Sequence, residues 1–453
     1  MNLDTIVAVA SPAGIGALGI IRLSGDQAIE IVDQVFPSKD LVGQASHTLH
    51  VGKIQDAGHV YDEVVVSLFI APKSYTKENV VEISCHGSPY IIESLIQLFI
   101  TKGARLANPG EFTQRAFLNG GLDLAQAEAV ADLIAADTQA SQKVAMNQLK
   151  GGFSKELALL REELIHFASM LELELDFSEE EVEFADRSQL TGLIQKMIHQ
   201  VEPLVQSFKT GNVIKNGVAT VLVGKPNAGK STLLNALLKE DKAIVSDIAG
   251  TTRDSLEDIW TLGGIRFRLV DTAGLRETTD TIEAIGVERT KNWIKKSQLI
   301  LWMVDLTSES KQGLNQTFQE FSKQEAELII VLNKLDQVKE FKLSDWAIHP
   351  HTVCISAKTG EGIQELEKKM LELVEADLKN TDATMVTNLR HFEQLKLTLE
   401  TLETVRQGIE NKLTNDFLAQ DLRHALYHLG QITGSITNDD LLKNIFGKFC
   451  IGK

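Results

Sequence analysis

Gly224-Lys225-Pro226-Asn227-Ala228-Gly229-Lys230-Ser231 follows an apolar β-type run at 218–223 and opens onto Ser231-Thr232-Leu233-Leu234-Asn235-Ala236-Leu237-Leu238, which reads as a helix. A glycine-rich loop between a strand and a helix is a phosphate cradle. The glycines let the backbone approach the phosphates, and the loop N–H groups and helix N-terminus supply positive potential. Lys230 neutralises β/γ charge, and Ser231 can ligate magnesium.

Downstream, the apolar run 267–270 leads into Asp271-Thr272-Ala273-Gly274. That aspartate can hold the magnesium shell, and the glycine N–H can meet a γ-phosphate. Between the two motifs lies Ser246-Asp247-Ile248-Ala249-Gly250-Thr251-Thr252-Arg253-Asp254. A threonine there can add a magnesium ligand only when a γ-phosphate is present, so the segment behaves as a switch. The strand 328–332 then delivers Asn333-Lys334-Leu335-Asp336. The Asp336 carboxylate can accept two hydrogen bonds from the guanine N1–H and 2-amino groups, a donor pair that adenine lacks. Finally, 353–355 precedes Ser356-Ala357-Lys358, whose backbone can contact the guanine carbonyl. These motifs, in order and each at a strand end, specify guanine-nucleotide binding.

Ras-like proteins carry a water-orienting glutamine just after the Asp-x-x-Gly motif, whereas this chain has Leu275, which cannot orient water. Hydrolysis therefore needs another device. Arg276, Glu277 and Glu283 are candidates, as is a monovalent cation beside Asn227.

The chain has 453 residues, enough for about three domains. A formal net charge of -17 excludes a broad basic coat for nucleic acid or membrane and makes any RNA contact focal. The cysteines Cys85, Cys354 and Cys450 are too few and too scattered for a disulfide framework or a thiolate zinc site, which fits a reducing cytoplasm. No apolar run reaches spanning length, and the first residues lack the basic region of a signal peptide. The expectation is a cytoplasmic protein with no membrane segment.

Gly14-Ile15-Gly16-Ala17-Leu18-Gly19 is formally a dinucleotide fingerprint, but Ile20-Ile21-Arg22-Leu23 continues as a strand where a helix should begin. Further strands at 64–70 and 80–84 and amphipathic helices at 26–35 and around Ile91 to Leu98 define an α+β domain ending near Asn119. Arg22 and Glu82 lie in apolar strands, where they either face solvent or pair with each other. Cys85 and His86 are neighbours on a strand, point to opposite faces and so make a poor nucleophilic couple.

Leu157, Leu160, Leu164, Phe167 and Leu171 form one helical stripe, and Leu395, Leu399, Leu402, Val405, Ile409 and Leu413 form another beyond the nucleotide motifs. The economical arrangement is one discontinuous helical domain with the nucleotide domain inserted between its halves. The expected divisions are 1–119, 120–213, 214–378 and 379–453. The acidic run at Glu179-Glu180-Glu181 has no metal-ligand spacing and reads as a solvated loop or helix start. The end, Phe449-Cys450-Ile451-Gly452-Lys453, fits prenylation poorly, which leaves an untethered tail with an incidental thiol.

Taken with Pro109-Gly110-Glu111-Phe112-Thr113-Gln114-Arg115-Ala116-Phe117-Leu118-Asn119, Leu122-Asp123-Leu124-Ala125-Gln126-Ala127-Glu128, the nucleotide motifs and the terminal Cys-Ile-Gly-Lys, the whole chain resembles the tRNA-modification GTPases that act on the wobble uridine. The resemblance implies an N-terminal α+β folate-binding and homodimerisation domain, a discontinuous helical domain, and an inserted Ras-like P-loop GTPase domain. It implies GTP hydrolysis activated by potassium-dependent pairing of two such GTPase domains. It also implies an FAD- and NADH-dependent partner, in a heterotetramer, with which a carboxymethylaminomethyl or aminomethyl-type group is added at C5 of uridine 34 in tRNA. The one-carbon donor would be a tetrahydrofolate derivative, 5-formyl- or methylene-tetrahydrofolate.

Residue by residue, the resemblance makes Asn227 a potassium ligand, completed by Ser246, Ile248 and Thr251, and makes Ser231 and Thr252 magnesium ligands. The GTP contacts are Asn227, Ala228, Gly229, Lys230, Ser231 and Thr232, then 246–252, 271–274, 333–336 and 356–358. Glu283 matches the residue that helps orient water. Arg22, Glu82 and Lys453 match the folate contacts, and Cys450 the functional tail cysteine. A further basic folate contact aligns with Gly121, which has no side chain to offer. The rival reading is a regulatory RNA- or ribosome-binding GTPase without one-carbon chemistry. A basic GxxG module would favour that reading, and none follows Lys358.

Overall fold

Alternating burial along the first strands sets up the amino-terminal architecture. In this computed structural model, which describes residues 4–176, 187–240, 257–271, 293–324, 326–338, 341–343, 346, 349–378 and 385–452, the elements begin with β1 (Ile6–Val9), β2 (Leu18–Ser24) and α1 (Ala28–Asp33). Next come β3 (Thr48–Asp56), β4 (His59–Phe69), β5 (Val80–His86), α2 (Pro89–Thr101), β6 (Arg105–Leu106) and α3 (Glu111–Leu118). The strands form a six-stranded sheet in the order β3-β4-β5-β2-β1-β6, antiparallel except for the parallel β1–β6 pair. The presence of β2 where a dinucleotide fold needs a helix removes the meaning of the glycine pattern at 14–19.

One sheet face contributes Val7, Ile21, Leu23, Val81 and Ile83 to a core shared with Leu95, Leu98 and Phe99 of α2. Burying such side chains stabilises by about 1.5–3 kcal/mol each. The opposite face carries Ala8, Arg22, Glu82 and Ser67 in one row across β1, β2, β5 and β4, because pairing places Ala8 against Arg22, Arg22 against Glu82 and Glu82 against Ser67. Over part of this face Phe112 of α3 packs with Ile6, Ala8 and Ala107.

Helices follow: α4 (Leu124–Ala135), α5 (Gln139–Leu149), α6 (Gly152–Asp176) and α7 (Arg187–Asn216). The acidic run at 179–181 lies outside the described residues. The nucleotide motifs then fall on β7 (Val218–Gly224), α8 (Lys230–Glu240), β8 (Glu257–Leu262), β9 (Ile265–Asp271), β10 (Leu299–Asp305), α9 (Lys311–Phe321), β11 (Glu327–Asn333), β12 (Thr352–Cys354) and α10 (Ile363–Leu378). The chain closes with α11 (Leu389–Glu410), α12 (Asn415–Thr433) and α13 (Asp439–Phe446).

Two units result, one of residues 1–135, 145–202 and 393–453, the other of 136–144 and 203–392. In the first, α6 and α12 pack along each other, burying Leu157, Leu160, Leu164 and Leu171 with Leu418, Leu422, Ala425 and Leu429. Phe167, expected on that stripe, is only half-buried, and Ala168 takes the core position. Leu413 lies beyond α11 and is exposed.

The second unit holds a six-stranded sheet in the order β12-β11-β10-β7-β9-β8, parallel except for the β8–β9 hairpin, with apolar layers on both faces. Its strands read as continuous apolar runs because both faces are covered. Parallel pairing sets Met303 beside Gly224, Asp305 beside Asn333, Leu332 beside Cys354 and Leu222 beside Asp271. The motif-bearing ends therefore share one edge, where ligands bind in open α/β sheets.

Candidate functional site

At that edge the loop after β7 turns tightly. Asn227 has φ 62° and Gly229 φ 96°, and a Cβ at Gly229 would collide with Asn333 Nδ2, so only glycine fits there. The Lys230 ammonium, at the start of α8, donates to the carbonyls of Gly224 (2.8 Å) and Lys225 (3.0 Å). Pro226, Asn227, Gly229, Lys230, Ser231 and Thr232 line a cavity of about 510 Å³ together with Asn333, Lys334, Asp336, Gln337, Ala357 and Lys358.

Asn333 ties the loops around this cavity. It is 3 % exposed, its Nδ2 donates to Ala228 O at 2.7 Å, and its Oδ1 accepts from Ala357 N–H at 3.0 Å. One side chain thus joins the phosphate loop, the end of β11 and the loop after β12. Asp336 is oriented by Ser356, whose Oγ donates to Oδ1 at 2.7 Å. These carboxylate and amide groups form a base-reading wall opposite a phosphate-binding wall, which is the arrangement a guanine nucleotide needs.

Two ion pairs at this edge escaped the sequence reading. Lys334 Nζ lies 2.6 Å from Asp305 Oδ2, and Lys225 Nζ lies 2.7 Å from Glu309 Oε2. Burial pushes the Asp305 carboxyl upward, but hydrogen bonds from Lys334 and Thr307 outweigh it and hold its pKa down at about 2. Only the position of Asp305 at the end of an apolar run could have signalled it.

Other expected site residues fall elsewhere. Asp271 closes β9. Ser246, Asp247, Ile248, Ala249, Gly250, Thr251, Thr252, Thr272, Ala273, Gly274, Leu275, Arg276, Glu277, Glu283 and Lys453 lie outside the described residues.

On the amino-terminal sheet Arg22 and Glu82 do pair: Nε donates to Oε1 at 2.8 Å, and a terminal nitrogen lies 2.7 Å from the same oxygen. The guanidinium sits 5.6 Å from the Tyr75 ring centre and 5.7 Å from that of Phe112, within cation–π range. Tyr75 Oη is held 2.9 Å from Thr113 Oγ1. At Gly121 a Cβ would meet the stem of Lys77 at 3.3 Å.

Cys85 is buried and His86 exposed, as strand alternation requires, and His86 Nδ1 lies 2.7 Å from Asp62. Burial, aided by the Asp62 charge, pushes the Cys85 thiol up to about 11. Placement of α3, and with it Phe112, depends on a charge network that the sequence reading missed. Arg115 bonds Asp4 Oδ1 at 2.8 Å and Glu111 Oε1 at 3.1 Å, and Arg105 bonds Glu111 Oε1 at 2.6 Å.

The untethered-tail reading is overturned. Gly110 N–H donates to the Cys450 carbonyl at 3.3 Å, and Gly452 is buried with φ 96°, its Cα facing Val9 so closely that a Cβ would collide with Val9 O. The Cys450 side chain remains exposed. Packing of Phe117 with Phe446 and Phe449 seats α13 and the tail beside α3. The tail is docked because apolar rings anchor it and its glycine fits against a strand end.

Fold and site define a P-loop GTPase, its nucleotide unit flanked in sequence by helices and preceded by an α+β domain. Residues 5–121 match the family model described as GTP-binding protein TrmE N-terminus, and residues 124–450 match the MnmE helical domain. The chain is 55% identical over 452 residues to the tRNA modification GTPase MnmE of Cytophaga hutchinsonii, covering 100% of this chain and 98% of that protein. It is 50% identical over 471 residues to the MnmE of Christiangramia forsetii, covering 99% of each. Among solved structures, the G domain of the T. maritima FeoB iron transporter shares 22% identity over 34% of this chain and 96% of that chain, with a TM-score of 0.26. The chain belongs to the MnmE family of tRNA modification GTPases and is a GTP-hydrolysing enzyme of tRNA modification. No helix among the described residues is long and apolar enough to cross a membrane.

Proposed function

We propose that this enzyme hydrolyses GTP with potassium activation and, with an FAD- and NADH-dependent partner, modifies C5 of wobble uridine 34 using a tetrahydrofolate one-carbon donor. The observation that carries the nucleotide part is the convergence on one cavity of the phosphate loop, the Asn333-to-Asp336 segment and the loop at Ser356, joined by Asn333. Asp336 reads the guanine N1–H and 2-amino groups, and the Ala357 region meets the guanine carbonyl. Lys230 balances phosphate charge, and Ser231 with Thr252 holds magnesium, which offsets charge on the phosphate oxygens. Asn227, with Ser246, Ile248 and Thr251, holds a potassium ion in place of an arginine finger, and Glu283 orients the attacking water where Leu275 cannot.

For folate, Arg22 and Glu82 together offer donors and an acceptor above the rings of Tyr75 and Phe112, a surface suited to a flat heteroaromatic ring. The docked tail supports a role there for Cys450, and the Lys77 stem over Gly121 supplies a cation near the position that lacks a side chain. For a homodimer through the amino-terminal domain, support comes from Leu49 and Val51, each 70 % exposed on the edge strand β3. Nucleoside mass spectrometry of tRNA tests the reading. Cells lacking this chain should lose the C5 modification of uridine 34, and Arg22→Met should restore it poorly. Unmodified levels in the deletion equal to wild type would sink the one-carbon reading and favour a regulatory GTPase.

A further inference from the structure

At the edge of the nucleotide sheet opposite the motif-bearing one, a second cavity of about 390 Å³ opens within the same unit. Its floor is the first residue of each of two central strands, Val218 of β7 and Leu299 of β10, which are 2% and 1% exposed. Val213 of α7, Ile294 in the helical turn 293–296, and Leu373 and Val374 of α10 form the walls, and each is only partly buried. At about 3.3 Å per residue, roughly 20 Å of β7 separates this floor from the phosphate loop. No residue lines both cavities.

The rim carries Lys209, Lys295 and Lys323 against one carboxylate, Glu327, in a chain whose net charge is -17. Lys295 and Lys323 are exposed, and among the described residues no carboxylate pairs with either. The uncharged polar groups beside them are already engaged: Ser297 Oγ donates to Ile294 O at 2.9 Å, and Gln298 Oε1 accepts from Ala219 N–H at 3.0 Å. The cavity therefore offers a ligand ammonium groups at its mouth and aliphatic surface within. Lysine suits this division, since its stem lies along apolar surface while the ammonium stays in water. No aromatic ring lines the cavity among the described residues, so a base or other flat heterocycle has no face to stack on. Mostly apolar walls, a few polar groups and a volume of this size are the usual makeup of a small-molecule site.

We propose that this cavity binds a small amphipathic anion, an aliphatic chain ending in an anionic group: the chain lies on Val213, Val218, Leu299 and Leu373, and Lys295 and Lys323 meet the charge. Burial of the chain supplies most of the affinity. The ammonium groups supply the choice of sign, because ion pairs at exposed positions are individually weak.

The test is calorimetric titration of the full chain, saturated with GDP and magnesium so that the phosphate-binding cations are occupied. Three probes of one chain length are compared, decanoate, decanol and decyltrimethylammonium, each below its aggregation concentration. Decanoate is expected to bind once per chain and about 10-fold more tightly than either of the others. Val213→Trp fills the cavity and should weaken decanoate by about 10-fold or more. Lys295→Glu combined with Lys323→Glu, both at exposed positions, should erase the preference for decanoate over decyltrimethylammonium. Unchanged GDP affinity shows that the variants are folded, and if Val213→Trp does not fold, the paired lysine variant decides. Absence of saturable decanoate binding, equal affinity for the three probes, undiminished binding in folded Val213→Trp, or a preference that the paired lysine variant keeps overturns the proposal.

Discussion

Replacing Asn333 by alanine tests the junction on which the nucleotide cavity depends. The substitution removes the donor to Ala228 O at 2.7 Å and the acceptor for Ala357 N–H at 3.0 Å. Ala228 and Ala357 are 1% and 6% exposed, so both orphaned groups are buried. Each costs about 1–3 kcal/mol when left without a partner. Water entering from the adjoining cavity satisfies part of that demand, which brings the combined cost to roughly 2–3 kcal/mol. The free loops relax away from the orphaned arrangement and bound nucleotide demands it, so this cost falls on binding, and at 1.4 kcal/mol per tenfold guanine-nucleotide affinity should fall about 30- to 150-fold. Titration of a fluorescent GDP analogue measures this, with the melting temperature of the nucleotide-free chain as a check on folding. Asn333→Asp should be worse than alanine, since a carboxylate cannot donate to Ala228 O and sets two acceptors against each other. A folded Asn333→Ala protein within 3-fold of wild type, or an Asn333→Asp protein that binds better than it, would refute the reasoning.

Further expectations concern the cation, the tail and the thiols. Hydrolysis should run well faster in KCl than in NaCl because sodium fits a potassium-sized site poorly; equal rates, or full potassium stimulation in Asn227→Ala, would retire the potassium assignment. Gly452→Ala puts a Cβ against a backbone carbonyl and strains a residue at φ 96°, so amide exchange at Gly110 and residues 450–452 should accelerate while the rest of the chain keeps its protection. Unchanged exchange there would contradict the docked tail. At pH 8 iodoacetamide should label exposed Cys450 and spare Cys85 until denaturant is added. Burial raises the Cys85 pKa from 9.0 to about 11, so the neutral thiol is the form favoured by folding. Its contribution is whole below pH 9 and is lost as pH rises through 11; equal labelling of both thiols in the folded chain would argue against that burial.

Local chain chemistry carried a large part of this protein's description. A glycine-rich loop between an apolar strand and a helix, an aspartate closing a strand, and Asn-Lys-Leu-Asp after another are legible because each depends on residues within a few positions of one another. Strand alternation likewise separated Cys85 from His86 without any knowledge of their surroundings. Apolar stripes indicated helices but not which residue completes a core, so Ala168 stood where Phe167 was expected.

Tertiary structure alone decided the features built from distant partners. Whether Arg22 faces solvent or pairs with Glu82 depends on which strand lies beside β2, a choice made across 60 residues of chain. Asp305 meets Lys334 because β10 and β11 run parallel in one register, and Asp305 read singly is an ordinary charge at the end of a strand. The carboxyl-terminal segment reads as a free tail until aromatic packing around Phe446 and the close fit of Gly452 against Val9 bring it to a strand hundreds of residues earlier. Composition and spacing record what a segment can do by itself. Which of those capacities is used depends on the packing that buries some groups, pairs others and leaves a few exposed.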